Sequence, residues 1–90
     1  MIKMVYMIRH KKTGLYKLGG DWKAWSKKGK VWAGIGALKN HLNLHKHEYL
    51  GSGVYKFPDH VAEEMKNWEV VAIQVSQAES HTFTIEQLYQ

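Results

Sequence analysis

The amino-acid sequence predicts a small α+β fold: an antiparallel sheet made of an N-terminal β-hairpin, short strands and a C-terminal strand, with two helices packed on one of its faces. Three observations predict it. Residues 2–9 alternate as a strand does, two stretches carry apolar residues at helical spacing, and Val70-Val71-Ala72-Ile73-Gln74-Val75 is β-branched and mostly apolar, as a central strand requires. A chain of 90 residues that is 44% hydrophobic and 23% charged supports one core, so residues 1–90 read as a single domain. The absence of cysteine excludes a disulfide framework and the cysteine-based zinc folds, leaving packing to hold the molecule together.

Along the chain, Ile2, Met4, Tyr6 and Ile8 point to one side of the first strand while Lys3, Val5, Met7 and Arg9 point to the other. His10-Lys11-Lys12-Thr13-Gly14 turns the chain, with Gly14 free to take a positive φ, and Leu15-Tyr16-Lys17-Leu18 returns as the antiparallel partner. Gly19-Gly20-Asp21 ends that strand, and Trp22 to Lys28 forms a polar, lysine-rich connection to a short third strand over Gly29-Lys30-Val31-Trp32. A helix starts at Gly34 or Gly36, because Ile35, Leu38 and Leu42 share a face while Lys39, Asn40, Asn43 and Lys46 occupy the other. Tyr49-Leu50-Gly51-Ser52-Gly53 breaks it, and Val54-Tyr55-Lys56-Phe57 is too short to assign. Pro58-Asp59 opens a second helix, with Asp59 as its cap, Glu63 and Glu64 early in the helix where the dipole favours them, and Val61, Met65 and Trp68 on one face. After a polar break from Ser76 to Ser80, Thr84-Ile85-Glu86-Gln87 has capping-box spacing for a last short helix. Thr82-Phe83-Thr84-Ile85 equally suits an edge strand.

Charge is divided unevenly. Residues 1–46 carry eleven bases against one acid, Asp21, and residues 47–90 carry two bases, Lys56 and Lys66, against seven acids, so net charges of +10 and −5 lie behind the overall +5. Such a split fits a basic surface facing an anionic partner, or two halves that neutralise one another within the fold or between protomers. No apolar run approaches the roughly 18 residues of a membrane span, and charge interrupts the first residues too early for a signal-peptide core, so a cytoplasmic protein without a membrane partner is expected. The small core and the opposed charges make a homodimer the expected assembly.

The densest chemical feature is Trp22-Lys23-Ala24-Trp25-Ser26-Lys27-Lys28-Gly29-Lys30-Val31-Trp32, in which three indoles alternate with four lysines. Indole faces stack on bases, ammonium groups meet phosphates, and a glycine lets backbone approach an anion. The expected ligand-binding set is Arg9, Lys12, Trp25, Ser26, Lys27, Lys28, Lys30, Trp32 and Lys39. Arg9, Lys28 and Lys30 would pair with phosphates, while Trp25 and Trp32 would flank a base. The competing reading makes Trp25 and Trp32 core anchors and the lysines a solvated loop.

Catalytic signals are sparse. Gly34-Ile35-Gly36 lacks the third glycine of a dinucleotide fingerprint, and Gly29-Lys30 lacks the Ser or Thr of a phosphate-binding loop. His41, His45 and His47 have part of a metal-ligand spacing, but His41 lies beside the Leu38/Leu42 face and only Glu48 is at hand as a supporting carboxylate, so no metal and no cofactor are expected. A nuclease-like grouping of Tyr6, Arg9 and His10 rests on residue type alone, and the protein is read as non-enzymatic.

Thr13-Gly14-Leu15-Tyr16, Gly19-Gly20, Trp25-Ser26-Lys27-Lys28-Gly29-Lys30-Val31-Trp32 and Gly36-Ala37-Leu38-Lys39-Asn40-His41-Leu42 resemble a group of short, mostly uncharacterised accessory proteins of tailed bacteriophages. The resemblance covers the first half of the chain and transfers no catalytic residue. It implies a bacterial host cytoplasm and an accessory role toward host machinery or host signals. The expected function is therefore binding of an anionic nucleotide ligand, such as a host immune signal that is sequestered. The alternatives are a nucleic-acid-binding accessory protein and an inhibitor that docks on a host defence enzyme.

Overall fold

Alternation in the first strand decides which side of the sheet is buried. The computed structural model describes residues 3–75 and 79–89, and its elements run β1 (Met4–His10), β2 (Tyr16–Lys17), β3 (Trp25–Ser26), α1 (Ile35–Asn43), β4 (Glu48–Gly51), β5 (Val54–Lys56), α2 (Asp59–Met65), β6 (Trp68–Gln74), β7 (Glu79–Thr84) and α3 (Ile85–Leu88). Five strands form an antiparallel sheet in the order β3-β2-β1-β6-β7, and β4 and β5 form a separate two-stranded sheet. The α+β class is as the sequence predicts. Ile2 and residues 76–78 of the expected polar break lie outside the described residues.

The β1–β6 register sets Ile8 opposite Val70 and Tyr6 opposite Ala72, so even-numbered residues of both strands share a face. Ile8 and Val70 are fully buried there with Trp68, against Leu38 and Leu42 of α1, Val61 and Met65 of α2, and Ile85 and Leu88 of α3. Three helices therefore contribute to this one core, where the sequence predicts two. The opposite face holds Met7 and Val71, both buried, and the Arg9–Glu69 pair. No described helix is long and apolar enough to cross a membrane.

Several local expectations are corrected. The third strand is Trp25–Ser26, paired with β2, while the expected strand at residues 29–32 reduces to a single antiparallel bridge between Tyr6 and Trp32. Its two backbone hydrogen bonds are 2.8 Å long. Residues 48–56 do not merely break the helix; they form a hairpin whose turn runs through Gly51, Ser52 and Gly53, all at positive φ. Pro58, not Asp59, is the N-cap of α2, and Asp59 makes no capping bond. Trp68 belongs to β6 rather than to the second helix, because Lys66 ends α2 and the chain reverses at Asn67. At the C-terminal end both sequence readings hold in succession: β7 is an edge strand, and Thr84 then caps α3 through a reciprocal capping box with Gln87.

Candidate functional site

The Trp/Lys segment does not assemble as a stacking site. Trp32 is only 5% exposed and belongs to the core, and Trp25 packs edge-on against Trp68 at 5.2 Å while its Nε1 donates to the Trp22 carbonyl. Ser26 is committed locally, its Oγ accepting from the Gly29 amide at 2.8 Å. Gly29 sits so close to β2 that an added Cβ would meet the Tyr16 Cβ at 2.2 Å. Lys12, Lys27, Lys28 and Lys30 are exposed, with Lys30 Nζ 5.6 Å from the centre of the Trp32 ring. The fold thus keeps the lysines at the surface and turns Trp25 and Trp32 inward, because a 90-residue domain needs its largest apolar side chains for burial.

Arg9 is taken up by Glu69, directly across the strand pair, with Nε at 2.7 Å and a terminal nitrogen at 2.6 Å from Oε1. Its pKa is raised first by that hydrogen bond, so the guanidinium already has its anion. Tyr6 and His10 lie on the face opposite Arg9, which separates the nuclease-like grouping. His10 is also occupied at both nitrogens: Nε2 lies 3.0 Å from Glu64 Oε1, and Nδ1 accepts from the Lys12 amide. Beside this pair, Thr13, Leu15, Trp22, Lys23 and Trp25 line a depression of about 320 Å³, where the Glu64 carboxylate repels an anion.

One basic residue outside the expected set is buried completely. The Arg9–Tyr16 register directs Lys17 to the core face, where it is 0% exposed and its Nζ donates to the Asp21 carbonyl at 2.7 Å and the Leu18 carbonyl at 3.3 Å. Burial lowers its pKa to about 8, and the charge of Asp21 opposes that shift. His41, in the last turn of α1, and His45, in the turn that follows it, lie between Trp32 and Trp68 in a run of neighbouring rings: Trp32–His41 4.9 Å, His41–His45 5.1 Å, His45–Trp68 6.5 Å. The Nε2 atoms of both histidines and the Nε1 of Trp68 are buried without a hydrogen-bond partner. Burial, then the neighbouring Lys17 charge, lowers the His41 pKa to about 4, and the same two causes lower that of His45. His47 lies elsewhere, near His60. Among the described residues no group of three or more metal-ligating side chains assembles.

A cleft of about 710 Å³ lies between the β4–β5 hairpin, α2 and α3. Tyr55 and Phe57 from the hairpin, Ala62 and Met65 from α2, and Ile85 and Tyr89 at α3 supply an apolar lining, and Trp68 closes it. Lys11, Lys46, Lys56 and Lys66 stand around it against one carboxylate, Glu86. Lys46 Nζ lies 5.1 Å from the Phe57 ring and 5.3 Å from the Tyr89 ring, and Lys39 Nζ lies 5.6 Å over Tyr89. Phe57 and Tyr89 are 6.4 Å apart. Burial raises the Tyr89 pKa, keeping its phenol neutral, and its hydroxyl donates to Asn43 Oδ1 at 3.0 Å. Lys46 and Lys39 pair with no Asp or Glu among the described residues. Lys56 is shared between Glu48 at 3.5 Å and Asp59 at 3.8 Å, and Lys66 pairs with Glu63 at 3.0 Å.

Of the expected set, only Lys39 stands at this cleft's edge. The remaining lining residues share no sequence signal, because they come from five separate segments and only the aromatic alternation of Tyr55 and Phe57 marks the site locally. No protein-family model, no curated protein and no solved structure matches the chain.

Proposed function

We propose that the protein is a non-enzymatic binder of an anionic nucleotide ligand, held in the lysine-ringed aromatic cleft. The carrying observation is Lys46, an ammonium without a carboxylate among the described residues, standing between the Phe57 and Tyr89 rings at the cleft's edge. Aromatic and aliphatic walls take the base, while Lys46, Lys11 and Lys56 meet the phosphates. A volume of about 710 Å³ falls within the roughly 300–1,000 Å³ of small-molecule sites. The resemblance to phage accessory proteins makes a host nucleotide signal the expected ligand and sequestration the expected consequence.

Calorimetric titration against mononucleotides, cyclic mononucleotides and cyclic dinucleotides tests this. Binding that falls at least about tenfold in Lys46→Ala and stays unchanged in the double variant Lys28→Ala/Lys30→Ala supports the cleft, about tenfold being the cost of one charge-assisted hydrogen bond. The reverse pattern moves the site back to the Trp/Lys segment. Absence of binding to every nucleotide refutes the reading.

A further inference from the structure

We infer that the ligand is longer than one nucleotide: the cleft is one end of a track for single-stranded nucleic acid that continues over the β4–β5 hairpin to Tyr49. The inference rests on the reading of the cleft as a nucleotide site and extends it to a ligand class. Tyr49 and Tyr55 are cross-strand partners whose rings are 5.1 Å apart, so they share a face of the hairpin. Tyr55 lines the cleft together with Phe57, which follows the end of β5. Phe57 meets Tyr89. Four rings thus follow one another from α3 to the far strand of the hairpin.

Two of these rings, Tyr49 and Tyr55, are open to stack on something outside the protein, while Phe57 packs against the core and anchors the row. Tyr49 is 60% exposed and Tyr55 is 51% exposed, whereas the tryptophans of the core show almost none of their surface. Lysines accompany the rings: Lys39 and Lys46 over Tyr89 and Lys46 over Phe57, with Lys56 in the lining of the cleft. The carboxylates paired with Lys56 are themselves exposed, Asp59 by 97%, so a phosphate can displace them at little cost. Aromatic faces beside ammonium groups are what a strand with unpaired bases recognises, since every base has a face to stack and every linkage a charge. A duplex hides its base faces within its own stack and would leave the tyrosines unused. A purely apolar protein partner would leave the lysines desolvated and unpaired.

The test is fluorescence anisotropy of the full chain with labelled oligothymidylates of increasing length, from one nucleotide to eight, and with a blunt duplex of the longest sequence. Affinity is expected to climb with each added nucleotide until about four are bound, and to fall with salt at a logarithmic slope of about −0.7 per phosphate contacted. Tyr49→Ala is expected to weaken the longer oligomers roughly tenfold while leaving the mononucleotide unchanged, and Tyr49→Phe to restore them. Tyr49→Leu keeps the hairpin's apolar bulk and removes the stacking face, so it separates stacking from folding. If the mononucleotide binds but length adds nothing, or Tyr49→Leu matches the parent, the track is overturned and the cleft reading stands. Equal affinity for the duplex overturns the track as well. If no length binds, the track is overturned, and the titrations with mononucleotides and cyclic nucleotides decide the cleft reading separately.

Discussion

Lys17 is the residue whose position most changes the account of charge. Its strand neighbours Tyr16 and Leu18 are themselves apolar enough to face inward, and a shift of one residue in the pairing would exchange the two sets. The register that sets Tyr16 against Arg9 sends the ammonium into the core instead, beside His41 and His45. Gly29 holds that register from outside. At φ +68° and with the Tyr16 Cβ 2.2 Å from an added Cβ, it admits no side chain, whereas Gly14, at φ +73°, has open space around it. Gly14→Ala is therefore expected to cost about 1 kcal/mol, for backbone strain alone, and Gly29→Ala more than about 2 kcal/mol, with strain and overlap together. Urea denaturation of the two variants compares them; equal losses would remove the role assigned to the Gly29 contact.

Among the elements, α3 is the clearest product of local signals. Four residues cannot hold a helix by their own hydrogen bonds, yet Thr84 accepts from the Gln87 amide at 3.1 Å and the Gln87 side chain accepts from the Thr84 amide at 2.9 Å. Thr84→Ala is expected to lower stability by about 1 kcal/mol and to loosen Tyr89, which follows directly, so that nucleotide affinity falls with it. Thermal melts and titration of the same variant check both parts. The β4–β5 hairpin shows the opposite case: its strands are four and three residues long, with a glycine-rich turn that reads as a helix break. Two short strands without the main sheet are marginal alone, so the hairpin's existence depends on the packing of Phe57 against the core cluster.

For the whole molecule, the buried cationic cluster sets the dependence of stability on pH. His41 has a folded pKa of about 4 against an ordinary 6.5, so between these values the unfolded chain binds more protons than the folded one. Stability is then full above pH 6.5 and is lost as pH falls toward 4, by on the order of 2 to 3 kcal/mol, with His45 adding in the same direction. Lys17, lowered from 10.5 to about 8, acts in the alkaline range: deprotonation relieves its burial, so stability rises again from pH 8 to 10.5. Chemical denaturation across this range measures both limbs, and a flat acid limb in the parent protein would contradict the burial of the histidine pair. The charge asymmetry of the sequence is resolved in space by the same packing. Lys17 goes inside and Arg9 to Glu69, while Lys11, Lys39 and Lys46 from the basic half meet Lys56 and Lys66 of the acidic half around the cleft or at its edge.

Element types near the chain's two ends, the central strand, the capping box and the surplus of base in the first half are all legible in the residues, because each depends on neighbours within a turn or a pleat. Which aromatic rings remain available to a ligand depends on contacts between residues far apart in the chain. Trp25 and Trp32 are claimed by Trp68 and His41, whereas Tyr55, Phe57 and Tyr89 are brought together only when the hairpin packs beside α2 and α3. Periodicity records which residues share a face of one element; strand register and helix packing determine what that face meets.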